Sequence, residues 1–257
     1  LNALKTESDI SIVSATLMQI DTAIWAYADP AKREALRLNV ANSVEKLLDA
    51  STPASDHQMA FARAFANFAV TPAQFDRIKA ILDGSINGLV IDAEIRWYIF
   101  ICGVKRGVFT VADIEAESAK DNTAHGKQYT AYAHAALPTK EAKDAAFKSI
   151  TTDNLSNTIH SYMCRGFNEN IHHELLAGFV DQYFDAILKV WETKGFEIAE
   201  TTATLLFPSW VISDETVKKA QHWLDVTGKD ASNALRRSVT EGRDAMSRAL
   251  KARMADK

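Results

Sequence analysis

The chain has little of what most enzyme sites are built from. It has only two cysteines, Cys102 and Cys164, far apart in sequence, a usage that fits reduced thiols and a cytoplasmic setting rather than a disulfide framework. Ten glycines and five prolines in 257 residues are few, which argues against a turn-rich β-sandwich and for long helices with short connections. No apolar run approaches the ~20 residues a membrane span needs, and no signal peptide precedes the first helix. The net charge of −4 gives no reason to expect nucleic acid or anionic lipid as a partner. No Gly-rich phosphate loop is present, because Gly84 to Gly88 lacks a Lys-Ser/Thr ending and follows no strand. No run alternates apolar and polar residues well enough to be a strand; Gly88-Leu89-Val90-Ile91 comes nearest and reads as a loop entering a helix.

Metal chemistry fails on inspection. His173-Glu174-Leu175-Leu176 opens like a zinc-peptidase helix, which needs a second imidazole one turn after the first, with the Glu between them as general base. The fifth position is Ala177, which has no lone pair to give, and the position one turn after His172 is Leu176. A distal Glu is missing where Phe196 stands, with Glu197 one step off. His160 and Cys164 are one turn apart and could touch one metal, but two ligands make a weak site. The seven histidines are scattered and none pairs with a Ser or Cys in a nucleophile motif. No catalytic and no metal-binding residue is therefore assigned.

Helix signals, by contrast, follow one another throughout. Ile10 to Ala28 is mostly apolar, and Asp29-Pro30 ends it and starts the next helix as cap and first residue. Leu36, Val40, Val44 and Leu47 form one stripe, and Phe61, Phe65 and Phe68 another after the polar break 51–56. Thr71-Pro72 restarts the chain, Phe75, Ile78 and Leu82 follow, and Gly84 fits the stop. Asp92 opens an apolar helix through Ile95, Ile99 and Cys102, and Thr110 with Asp113 resembles a capping box. Further helices are expected over 124–137, 140–150, 154–191 with a break at 166–170, 198–207, from Ser213, and from Ala231 to the end. The pattern predicts an all-α single domain over 1–257, stacked as an irregular HEAT/armadillo-like helical-repeat superhelix of antiparallel helices.

Two clusters stand out. Asp92 and Arg96 are one turn apart and can pair, beside Trp97, which is large enough to anchor a helix interface. The last helix carries Arg236, Arg237, Arg243, Arg248, Lys251 and Arg253. Most such runs are a solvated face; the sharper reading is a surface holding a peptide carboxylate, with Arg236, Arg243 and Arg248 as contacts.

A likeness runs through Tyr27-Ala-Asp-Pro-Ala31, Ser55-Asp-His-Gln58 with Ala62-Arg-Ala-Phe65, Asp92-x-x-Ile-Arg96-Trp97 and Asp121-Asn-Thr-Ala-His-Gly126. It continues through Ala136-Leu-Pro138 with Lys143, Leu155-Ser-Asn157 with Gly166-Phe167, Glu174-Leu-Leu-Ala177 and Tyr183-Phe184. It ends with Leu206-Phe-Pro208 and Leu235-Arg-Arg237 with Glu241-Gly-Arg-Asp244. In order and spacing these resemble the C-terminal helical domain of zinc aminopeptidases of the aminopeptidase N family, its bacterial branch most nearly, the domain shared with endoplasmic reticulum aminopeptidases. The resemblance implies a bowl of helices that closes over an active site and admits unfolded peptides. Its partners would be peptide substrates and an upstream catalytic domain of the same chain, which would hold the zinc; nucleic acid and membrane are not expected. Leu1 in place of Met fits an excised piece of that longer chain, inactive alone. A free-standing helical-repeat scaffold for another protein is the alternative.

Overall fold

The computed structural model describes residues 1–256, the side chain of Asn2 excepted. Among the described residues there is no strand. Two compact units divide the chain, Leu1–Gly103 and Val104–Lys257.

The first unit holds α1 (Ile10–Thr22), α2 (Arg33–Ala50), α3 (Asp56–Phe68), α4 (Pro72–Leu82) and α5 (Ala93–Val104). Its turns follow the sequence signals. Asp9 caps α1 by accepting from the Ser11 and Ile12 amides. Asp29 accepts from the Ala31 amide, with Pro30 first in a 3-10 turn that leads into α2. Thr71 and Gln74 close a full capping box on α4. Gly84 takes φ +81° after that helix, a left-handed geometry open to glycine without a side-chain clash. Segment 88–91 is a loop, as expected.

α3 packs on both α1 and α2. Phe61, Phe65 and Phe68 are all at most 3 % exposed, with Val40, Val44 and Leu47 buried from α2. Leu36 departs from its stripe and is 37 % exposed. Arg77 of α4 lies over the Phe65 ring at 5.4 Å and pairs with Glu45 at 2.9 Å and with Asp49. Asp92 accepts from the Ile95 amide at 2.8 Å and so caps α5, while Arg96 donates to the Leu82 carbonyl at 2.9 Å, at the end of α4. Both residues thus serve helix ends. Trp97 is buried, as its size requires.

The second unit holds α6 (Val111–Ser118), α7 (Ala124–Ala135), α8 (Lys140–Thr152), α9 (Asn157–Phe167), α10 (His173–Leu176), α11 (Val180–Thr193), α12 (Phe196–Leu205), α13 (Asp214–Asp225) and α14 (Asn233–Ala255). Thr110 and Asp113 form the capping box on α6, and Ser213 caps α13. The region expected as one helix from 170 to 191 is segmented: 3-10 turns at Asn170–His172 and Ala177–Phe179 flank the four residues of α10. Gly178, a poor helix former, lies in the second of these turns. α9 packs against α7, α8 and α12, and α14 against α12 and α13. Phe147, Phe167 and Phe179 meet with ring centroids 5.1 to 5.8 Å apart, and Tyr183, buried at 2 %, donates its hydroxyl to the Ala203 carbonyl at 2.7 Å. α7 and α9 come so close that a Cβ at Gly166 would stand 2.3 Å from the Tyr132 carbonyl oxygen. Only glycine fits there.

Candidate functional site

α14 is amphipathic. Leu235, Val239, Met246 and Ala249 are buried, which turns most of its basic residues outward. The three arginines singled out from sequence have different surroundings. Arg236 is half-buried and donates from Nη1 to the carbonyls of Leu224 (2.7 Å), Gly228 (2.7 Å) and Lys229 (3.2 Å), at the end of α13. A cation there satisfies carbonyls that have no partner in the helix and meets the negative end of its dipole. Arg243 donates from Nε and Nη2 to Asp244 Oδ1 (3.0 and 2.7 Å) and from Nη1 to the Gln221 side chain. Arg248 is exposed. Arg253, part of the same basic run, is buried and donates to the Ile212 carbonyl at 3.1 Å. Arg236 and Arg243 are seven residues apart, yet one stitches a helix end and the other a surface carboxylate. The signal for Arg236 was the Gly228 turn upstream of α14, which leaves α13 carbonyls in need of a donor.

His160 and Cys164 do meet, with Sγ 3.8 Å from Nδ1 and 3.9 Å from Nε2. Thr202 Oγ1 lies 3.1 Å from His160 Nε2 and its hydroxyl reaches the Ile198 carbonyl, while the ring also hydrogen-bonds the Ile150 backbone. Burial lowers the His160 pKa and raises that of Cys164 well above the usual thiol range. A neutral ring and a protonated thiol suit a packed core, since a metal would need the thiolate. Among the described residues no group of three or more His, Cys, Asp or Glu is disposed to hold a metal ion. These residues do not fit zinc.

Sequence reasoning missed the most unusual electrostatic feature, a set of buried ionisable groups in the second unit. Lys143 of α8 is 0 % exposed. Its Nζ donates to the carbonyls of Ala135 (2.6 Å), Gly166 (3.0 Å) and Phe167 (2.9 Å), the last residues of α7 and α9. Burial brings its pKa down to about 7, against an opposing pull from Glu169. Glu169 pairs with Lys105 at 3.2 Å and accepts from the Tyr132 hydroxyl. Burial works to raise the Glu169 pKa, but Lys105, Tyr132 and His172 together hold it below the ordinary carboxylate value. His172 Nε2 donates to the Lys105 carbonyl at 2.7 Å, and burial lowers its pKa to about 4, so the ring is neutral near pH 7. The nearest sequence signal was Lys143 itself, which belonged to the family likeness but had no structural role attached to it.

Residues 1–248 match the family described as the ERAP1-like C-terminal domain. An aminopeptidase N from Streptomyces lividans is 38 % identical over 259 residues, an alignment that takes in 100 % of this chain and 30 % of that protein. The chain therefore spans about 30 % of the length of the curated relative it matches. Many of the residues that carried the likeness prove to be the fasteners of the fold: Asp92 as a cap, Lys143 as a clasp, Gly166 as a helix crossing. With a helical fold and a family match over residues 1–248, the chain belongs to the ERAP1-like C-terminal domain family of aminopeptidase N-type enzymes.

Proposed function

We propose that this chain is the C-terminal domain of a zinc aminopeptidase and encloses the active site that an upstream catalytic domain supplies. It thereby controls which peptides reach the metal, and the complete enzyme releases N-terminal residues from them in the cytoplasm. The observation that carries the reading is the match to an aminopeptidase N in which the corresponding region is only 30 % of the protein. That leaves most of the relative's length for catalytic machinery. The first and second units would act as one helical domain, stacked in a HEAT/armadillo-like superhelix. Zinc would bind upstream; among the described residues no group of three or more His, Cys, Asp or Glu is disposed to hold a metal ion. Cys102 and Cys164 are buried and form no disulfide with each other, which is compatible with a reducing setting, and among the described residues no helix is long and apolar enough to cross a membrane.

An aminopeptidase grips the free amine of its substrate at the metal, so an enclosed peptide points its carboxylate away from the metal, toward the walls. Arg248, and Arg243 at the edge of its contact with Asp244, offer guanidinium groups for that end. Arg236, the third arginine of the set, would act through the α13 end that it holds. Hydrolysis of an aminoacyl-anilide should be absent from the purified chain with zinc added and present in the complete enzyme. Chelator-sensitive turnover by the chain alone would overturn the assignment of catalysis to the upstream domain.

A further inference from the structure

The buried set around Glu169 has a position that its chemistry does not explain. Lys105 is the second residue of the second unit, immediately after the point where the chain leaves the first. Its side chain and its backbone are both tied into the second unit. Nζ reaches Glu169 Oε2 at 3.2 Å, and the carbonyl oxygen accepts from His172 Nε2 at 2.7 Å. Glu169 is anchored in turn by the Tyr132 hydroxyl of α7, and Lys105, Glu169 and His172 are each at most 9 % exposed. The stretch from Glu169 to His172 therefore holds Lys105 twice, by side chain and by backbone, and α7 supports that hold indirectly, through Glu169. Apolar packing would hold such a segment without taking ionised groups out of water. The ion pair and the carbonyl bond add direction, since a buried charge tolerates only the geometry that satisfies it.

Beyond Lys105 the chain comes to the surface. Gly107 is exposed, with φ +71°, in a turn before α6. A short, glycine-turned surface segment at a unit boundary is where local opening and proteolysis concentrate. We propose that the Lys105–Glu169–His172–Tyr132 network is a lock on this junction, which keeps residues 104–107 from opening separately from the second unit. Breaking the lock converts a boundary that opens only with the whole unit into one that opens locally.

Arg106 provides a built-in reporter, because trypsin cuts after arginine only when several flanking residues leave the surface. Under conditions where reclosing is faster than cleavage, the cutting rate reports the population of the open form. The experiment is limited trypsinolysis of the whole chain, with fragments assigned by mass, alongside amide exchange over 104–107. Glu169→Gln keeps the shape and removes the charge, and it should speed cleavage after Arg106 at least ten-fold relative to sites inside α8, α9 and α11. Tyr132→Phe, a milder change that removes one hydroxyl, should move the same ratio in the same direction and keeps the test alive if Glu169→Gln fails to fold. Phe179→Leu, a core change that touches none of these groups, should raise cleavage across the second unit without favouring Arg106. An unchanged ratio in both polar variants, or a rise at Arg106 no larger than that caused by Phe179→Leu, would overturn the lock.

Discussion

Replacing Lys143 with Met tests the electrostatics of the second unit more sharply than any other single change. The ammonium is fully enclosed and supplies a donor to each of three carbonyls at the ends of α7 and α9. Two effects of Lys143→Met oppose each other. Leaving buried acceptors unsatisfied costs about 1–3 kcal/mol each, whereas deleting a buried charge relieves its desolvation. The fall of the Lys143 pKa from 10.5 to about 7 puts that relief at roughly 5 kcal/mol where the ammonium is charged, at about 1.4 kcal/mol per pH unit. Below pH 7 the terms largely offset, and the variant should lose no more than a few kcal/mol.

The balance shifts with pH, and its sign is fixed. The folded pKa lies below the unfolded one, so between about pH 7 and 10.5 the unfolded chain holds a proton that the folded chain has released. Folded stability from this group therefore rises with pH across that window, with a slope of up to ~1.4 kcal/mol per pH unit, and is lost as pH falls back toward 7. Lys143→Met has no such slope. Urea unfolding from pH 6.5 to 9.5, followed by circular dichroism, should show the variant falling further behind the wild type at each step upward. A stability gap that stays constant or narrows as pH rises would refute the reasoning.

The acid side has its own marker. His172 is buried with a pKa lowered to about 4, so folding should weaken as pH falls from 6.5 through 4, and His172→Gln should remove up to ~1.4 kcal/mol per pH unit of that slope. A variant with the wild-type acid slope would show that the ring is not buried neutral. In the first unit, Phe65 is 0 % exposed at the centre of α3 and has Arg77 over its ring. Phe65→Ala should cost about 3–5 kcal/mol by chemical denaturation, and a loss below about 1 kcal/mol would place that face outside the core.

Where each element begins was largely legible, because caps are local chemistry. Thr71 before Pro72, Thr110 with Asp113, Asp92 and Ser213 each announce a helix start from local sequence alone, and each was found capping. Boundaries slipped where local propensity yields to packing. The stretch 170–191 reads as one helix, yet breaks around α10, where His172 turns to reach the Lys105 carbonyl 67 positions earlier. Such a bond leaves no periodic trace. The same holds for the buried ionisable set: Lys143 looks like any other lysine on a helix of mixed charge until α7 and α9 end over it. The arginine run of α14 was visible as composition, but the division of its members between helix ends and solvent depends on where α13 stops.

The proposal that this domain governs access of peptides to a catalytic site upstream is tested most directly by kinetics of the complete enzyme. Steady-state KM should be measured for peptides of different length in enzymes carrying Arg248→Ala, Arg243→Ala or Arg236→Ala. Loss of an exposed charge contact of ~0.2–1 kcal/mol corresponds to a KM increase of roughly 1.4- to 5-fold. Peptides of eight or more residues should show that rise with Arg248→Ala and Arg243→Ala, while a dipeptide-sized substrate keeps its KM. For Arg236→Ala, the same length-dependent rise should come with a lower melting temperature, because its α13 carbonyls lose their donor. Equal effects on long and short substrates, or none on either, would contradict the proposed role, leaving Arg243 and Arg248 as a solvated helix face and Arg236 as a helix-end fastener alone.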